Sequence, residues 1–131
     1  VLEHSKTLAS LHMCKGNIGD MGMRALARAL KNNQTLNILD LSDNKISDDG
    51  AAVLADVFKH NFCLTRLKLD GNRIGYSGIT ALTKALDGNQ TLVEFTMMNN
   101  KATEALSTGI EKTFEHSKNI INLKINGSKV I

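Results

Sequence analysis

The chain has 131 residues, 42% of them hydrophobic and 22% charged, which fits one soluble globular domain. A net charge of +3 does not by itself signal nucleic acid, no run approaches the apolar length of a membrane span, and Val1-Leu2-Glu3-His4-Ser5-Lys6 lacks the basic-then-apolar order of a signal peptide. With no proline and only Cys14 and Cys63, a disulfide-built scaffold is excluded, and free thiols point to a reducing compartment, the cytoplasm.

The same phrase restarts at Leu8, Leu36, Leu64, Leu92 and Ile120, each 28 residues after the last. The segment Glu3-His4-Ser5-Lys6 recurs as Glu115-His116-Ser117-Lys118, so the first residues are expected to end a preceding helix, and the chain to be a fragment of a longer protein or a domain capped by a partner or by a dimer. The clearest copies run Leu36-Asn37-Ile38-Leu39-Asp40-Leu41-Ser42-Asp43-Asn44 and Leu64-Thr65-Arg66-Leu67-Lys68-Leu69-Asp70-Gly71-Asn72, with a looser one from Leu92 to Asn100. All fit L-x-x-L-x-L-x-x-N, whose alternation at the centre suits a strand with one buried face.

After each phrase the period changes to that of a helix, with Ala25, Leu26, Ala29 and Leu30 as the expected apolar face of the first copy and Val53, Leu54, Val57 and Phe58 of the second. Ser47 reads as a helix N-cap, Asp48 and Asp49 as complements to the positive helix end, and Asn33, Asn61 and Asn89 as left-handed caps at helix ends. Gly22, Gly50 and Gly78 share a column near the helix starts, where a missing side chain would let helix and strand backbones approach. In the fourth copy Ala102 replaces Ile18, Ile46 and Ile74, and Leu106 replaces the column glycine, so that helix is expected to start differently. Gly16 and Ser128 interrupt the column of Asn44, Asn72 and Asn100 at its two ends. The chain is expected to finish just after the fifth strand, at Val130 and Ile131, without a polar capping repeat.

These phrases resemble the ribonuclease-inhibitor-like leucine-rich repeats found in ribonuclease inhibitor, the Ran GTPase-activating protein, tropomodulins and the arrays of NOD-like receptors; Leu36 to Gly50 and Asn89-Gln90-Thr91-Leu92 look nearest the last. The resemblance covers nearly the whole chain. It implies an α/β fold, a right-handed solenoid with parallel strands on the concave face and helices on the convex face, forming one domain over 1–131 with strand starts near 8, 36, 64, 92 and 120. Because this scaffold carries many unrelated partners, it specifies the fold more closely than the function.

Chemistry is sparse. His12 and Cys14 share a strand face with Asp40 one strand away, at about 4.8 Å spacing, but an open strand offers neither an oxyanion site nor exclusion of water, so no enzyme is expected. His60 and Cys63 lack paired zinc-ligand spacing, no phosphate loop or EF-hand is present, and no cofactor or metal is expected. The N-x-[ST] matches at Asn33, Asn89 and Asn126 fall largely on the helix-end column and read as structural.

The open face of the sheet is the expected site. The pleat assigns to it Ser10, His12 and Cys14; Ile38, Asp40 and Ser42; Arg66, Lys68 and Asp70; Glu94, Thr96 and Met98; and Asn122, Lys124 and Asn126. Arg66, Lys68 and Lys124 balance Asp40, Asp70 and Glu94, and no aromatic residue stands among them, which argues against nucleic acid. A protein partner is expected to contact His12, Asp40, Arg66, Lys68, Asp70, Glu94, Thr96, Met98 and Lys124, with Arg73 and Tyr76 as loop anchors. The chain thus reads as a non-enzymatic interaction module of a larger cytoplasmic sensor, scaffold or regulator. The alternative is a structural segment that self-associates through exposed end strands.

Overall fold

A computed structural model describes residues 7–60, 63–86, 89–101, 122–125 and 128–129. Its elements are β1 (Ser10–His12), α1 (Gly19–Asn32), β2 (Ile38–Asp40), α2 (Asp48–Phe58), β3 (Arg66–Lys68), α3 (Tyr76–Leu86), β4 (Glu94–Met97), β5 (Asn122–Ile125) and β6 (Ser128–Lys129). Strands β1 to β5 form a parallel sheet in sequence order, with α1, α2 and α3 making the crossovers from β1 to β4. The repeat is the register: Ser10 pairs with Ile38, Ile38 with Arg66, Arg66 with Glu94, and Glu94 with Asn122. This is the α/β leucine-rich-repeat architecture that the phrases resemble.

Pairing begins two residues inside each phrase. The carbonyls of Ala9, Asn37 and Thr65 each accept from two successive amides of the next repeat, so regular pairing starts only beyond them. Leu39, Leu67 and Phe95 from the strands and Leu41, Leu69 and Met97 just after or within them are buried, together with Ile46 and Ile74 from the loops. Helix α2 adds Leu54, Val57 and Phe58, and α3 adds Ile79, Leu82 and Leu86.

The first helix buries Leu30 as expected and packs Leu26 against the core, but turns Met23 and Ala27 inward rather than Ala25 and Ala29. Met23, Ala27 and Leu30 are its buried residues, whereas Ala25 is exposed and Leu26 and Ala29 are half-buried. Alanines at alternate positions, Ala25, Ala27 and Ala29, blur the period, and the larger Met23 sets the core-facing stripe.

Polar groups join successive repeats in both directions. The Asn72 side-chain oxygen accepts from the amides of Asn44 and Ile46, both at 3.0 Å, while its amide nitrogen donates to the carbonyls of Leu41 and Leu69, also at 3.0 Å. Asn44 does the same for Gly16 and Ile18 at 2.9 and 3.2 Å, and Asn100 for Ile74 at 3.0 Å. Just before this column the chain turns with positive φ at Lys15, Asp43, Gly71 and Asn99. In the other direction, Asp20 Oδ1 accepts from the amides of Ser47 and Gly50 at 2.9 and 3.0 Å, and Asp48 Oδ1 from Gly75 and Gly78 at 2.7 and 2.9 Å.

These bonds correct three expectations. Ser47 stands at the N-cap of α2, but its hydroxyl donates to Asp20 Oδ2 and forms no cap bond to its own helix. Gly50 and Gly78 make room for the preceding repeat's carboxylate and their own repeat's isoleucine rather than for a strand: a Cβ on Gly50 would fall 2.5 Å from Asp20 Oδ1 and 2.7 Å from Ile46 Cγ2. Asn33 is extended, at φ −85°, and its side chain accepts from the amides of Thr35 and Leu36. Asn89 bonds Thr91 and Leu92 in the same way, so this column builds the entry to the next strand; Asn61 lies outside the described residues.

The sheet does not end on its fifth parallel strand. Strand β6 pairs antiparallel with β5, with Ile125 opposite Ser128 and Lys124 opposite Lys129. Two intervening residues cannot make the crossover a parallel partner needs. Ala102, Leu106, Val130 and Ile131, and the expectations placed on them, lie outside the described residues.

Candidate protein-binding face

Pairing aligns the expected face as two lateral rows, Ser10, Ile38, Arg66, Glu94 and Asn122, then His12, Asp40, Lys68, Thr96 and Lys124. Opposite charges stand side by side along them. Arg66 Nε lies 3.8 Å from Glu94 Oε2, and His12 Nδ1 lies 3.8 Å from Asp40 Oδ2.

The carboxylates also hold the sheet together. Asp40 Oδ1 accepts from the Ser42 hydroxyl at 2.7 Å and its amide at 3.1 Å. Partial burial works to raise the Asp40 carboxyl. The bonds from Ser42 and from the Cys14 thiol outweigh it and, with the charge of Lys68, hold the group below the ordinary carboxylate range. Asp70 reaches one strand onward, accepting from the Met98 amide at 2.6 Å and the Thr96 hydroxyl at 2.9 Å. Thr96 is buried, Ile38, Lys68, Asp70, Glu94 and Met98 are half-buried, and Arg66 and His12 are exposed. Lys124 is in register beside Thr96.

The His12, Cys14 and Asp40 grouping has the wrong electrostatics for a nucleophile. Burial, then the hydrogen bond to Asp40 and its negative charge, push the Cys14 thiol up, favouring the protonated form. Cys63 donates instead to the carbonyl of Leu36 at 3.2 Å, a contact between repeats. Among the described residues no three His, Cys, Asp or Glu side chains gather into a metal-binding group, and no helix is long and apolar enough to cross a membrane.

Both loop anchors are outward: Arg73 is exposed and Tyr76, at the start of α3, is 71% exposed. Sequence reasoning passed over Lys45 and Lys101, which occupy the same loop column as Arg73 one repeat to either side.

A family model described as the TMOD/LMOD leucine-rich domain matches residues 17–127, most of the chain. The chain belongs to the tropomodulin and leiomodin leucine-rich-domain family. Of the groups its phrases resemble, the match selects tropomodulins rather than NOD-like-receptor arrays. Two solved structures are similar to this member of the family. A chain described as leiomodin-1 actin-binding site 2 shares 21% identity at a TM-score of 0.85, over 95% of this chain and 75% of that one. The tropomodulin C-terminal domain of Caenorhabditis elegans shares 18% identity at a TM-score of 0.82, over 97% and 78%. No curated protein matches the sequence.

Proposed function

We propose that this leucine-rich domain is a non-enzymatic binding module of a cytoplasmic cytoskeletal protein, and that its protein partner is actin. The observation that carries the reading is the family match across residues 17–127, together with the description of the similar leiomodin-1 chain as an actin-binding site. The sheet supplies the means: strand registration fixes Arg66, Lys68 and Glu94 against one another on an open face, so a partner meets positioned groups and loses little ordering entropy in them. Arg66 and Glu94 can exchange their mutual contact for complementary groups on actin, with His12, Asp40, Asp70, Thr96, Met98 and Lys124 framing the footprint and Arg73 and Tyr76 anchoring its edge.

Co-sedimentation with filamentous actin tests this directly. The wild-type chain is expected to pellet in a saturable manner, and the Arg66→Glu, Lys68→Glu variant to bind about tenfold more weakly while remaining folded. A folded wild type that stays in the supernatant at high actin concentration, and binds neither filament ends nor monomers, would refute the choice of partner. Equal binding by the variant would move the footprint off the strands.

A further inference from the structure

The loops that follow β2, β3 and β4 carry a row of cations that the fold itself does not require. Lys45, Arg73 and Lys101 occupy one column of the repeat, 28 residues apart, and all three are exposed. Two of them are tied through the backbone to the preceding repeat: the Arg73 amide donates to the Ile46 carbonyl at 2.7 Å, and the Lys101 amide to the Ile74 carbonyl at 2.9 Å. The row therefore runs across the strands at the rim of the sheet.

Three observations mark it as a surface held for a ligand. First, none of the three side chains enters an ion pair among the described residues. Second, the turn does not demand a cation, since the first member of the column is Asn17, at φ 53°, beside Lys45 at φ 59°. Third, lateral neighbours on the strand face alternate in sign, Asp40 beside Lys68 and Arg66 beside Glu94, whereas on the rim like follows like. Adjacent like charges oppose folding, and the two exposed carboxylates nearby, Asp43 and Asp49, leave part of the row's charge for a ligand to offset.

We propose that this rim binds an acidic, extended polypeptide segment of a protein partner, laid across the loops. Strand spacing puts successive cation backbones about 4.8 Å apart, while every second residue of an extended chain advances about 6.7 Å, a difference that long lysine and arginine side chains can span by splaying. Arg73, at the centre, offers the planar fork that a carboxylate accepts bidentately. Asp43 and Asp49 stand exposed beside the row. They would repel the continuous phosphates of a nucleic acid, whereas a polypeptide can place its carboxylates singly against the cations. The inference does not depend on actin being the partner.

Three charge-reversed pairs that change net charge equally separate this rim from general attraction: Arg73→Glu with Lys101→Glu on the rim, Arg66→Glu with Lys68→Glu on the strands, and Arg24→Glu with Arg28→Glu on α1. The probe is a fluorescein-labelled 20-residue peptide alternating glutamate and serine, read by fluorescence anisotropy at low and physiological salt, with circular dichroism establishing that each variant is folded. The rim pair is expected to weaken binding about tenfold or more, and the other two pairs by no more than about threefold. The milder Arg73→Gln, Lys101→Gln pair is expected to show the same ranking if the reversed rim pair does not fold. Equal losses in all three pairs, or no loss on the rim, would overturn the proposal. So would tighter binding of a 20-nucleotide oligothymidylate or of phosphatidylserine vesicles to the wild type through the same rim residues.

Discussion

Replacing Asn72 by alanine should damage the fold more than any substitution on the open strand face. The side chain is buried and serves four backbone groups of two repeats closely, the amides of Asn44 and Ile46 and the carbonyls of Leu41 and Leu69, each at 3.0 Å, and a fifth, the Asp70 carbonyl, at 3.4 Å. A buried polar group deprived of its partner costs about 1–3 kcal/mol, which sets an upper range of about 4–12 kcal/mol for four. Alanine opens a cavity with polar walls that water can enter, satisfying part of this set, so the expected loss is about 3–5 kcal/mol. For a chain of this length that corresponds to a fall in Tm of about 10–20 °C. Urea unfolding followed by circular dichroism measures it, with Asn72→Asp as the informative second variant. Aspartate keeps the acceptor for Asn44 and Ile46 but loses the donor to Leu41 and Leu69, and should behave as a severe variant as well. A loss below about 1 kcal/mol for alanine would refute the reasoning, since it would mean that these backbone groups find other partners at little cost.

Other consequences are equally direct. Gly50→Ala, which in an open helix would be stabilising, should instead cost about 1–3 kcal/mol because the new Cβ meets Asp20 Oδ1 and Ile46 Cγ2; adding Asp20→Ala should recover part of this, and strict additivity in the double-mutant cycle would show that the contact is absent. Burial works to raise the Asp20 carboxyl, but the Ser47 hydroxyl and the amides of Ser47 and Gly50 outweigh it and hold the group below its ordinary range. Its contribution to stability is therefore full above the unfolded-state value and lost as pH falls through the lower folded value. The urea midpoint should drop as the pH falls below about 5, less steeply in Asp20→Asn, and parallel profiles would refute the assignment. Cys14 should react slowly with iodoacetamide at pH 8 and faster in Asp40→Asn, which removes the negative charge that favours the thiol; an unchanged rate would mean that Asp40 does not govern it.

The architecture was legible because its period is carried by residues with no alternative role. Leu39, Leu67 and Phe95 must point inward for any strand to form, and once they are aligned the partner of every face residue follows, from Ser10 beside Ile38 to Glu94 beside Asn122. The bonds between repeats were harder to read, because Asp20 and Asp48 serve amides 27 to 30 positions further along while occupying helix starts, where local preference already accounts for an aspartate. Serine and asparagine misled for the same reason: Ser47 and Asn33 match capping preferences, yet one bonds a neighbouring repeat and the other turns the chain into a strand. On the candidate site, alternation assigned the strand-face residues but not the burial of Thr96 under its bond to Asp70. Lys45 and Lys101 join Arg73 only when the phrases are stacked at 28 residues, because their charge lies down the loop column and not along the strands.

The bonds linking Asp20 to Gly50 and Asn72 to Asn44 run in opposite directions along the chain, so each of the first two units carries both a plug for its successor and a socket filled by it, while the third keeps the socket, filled by Asn100, and has Tyr76 in the plug's column. A gene segment encoding one such unit, duplicated in tandem, would therefore supply a copy already able to dock onto its parent. Arrays of this kind can lengthen without inventing a new interface, whereas a change on one side, such as Asp20 or Gly50 alone, leaves its neighbour mismatched until the other side changes too.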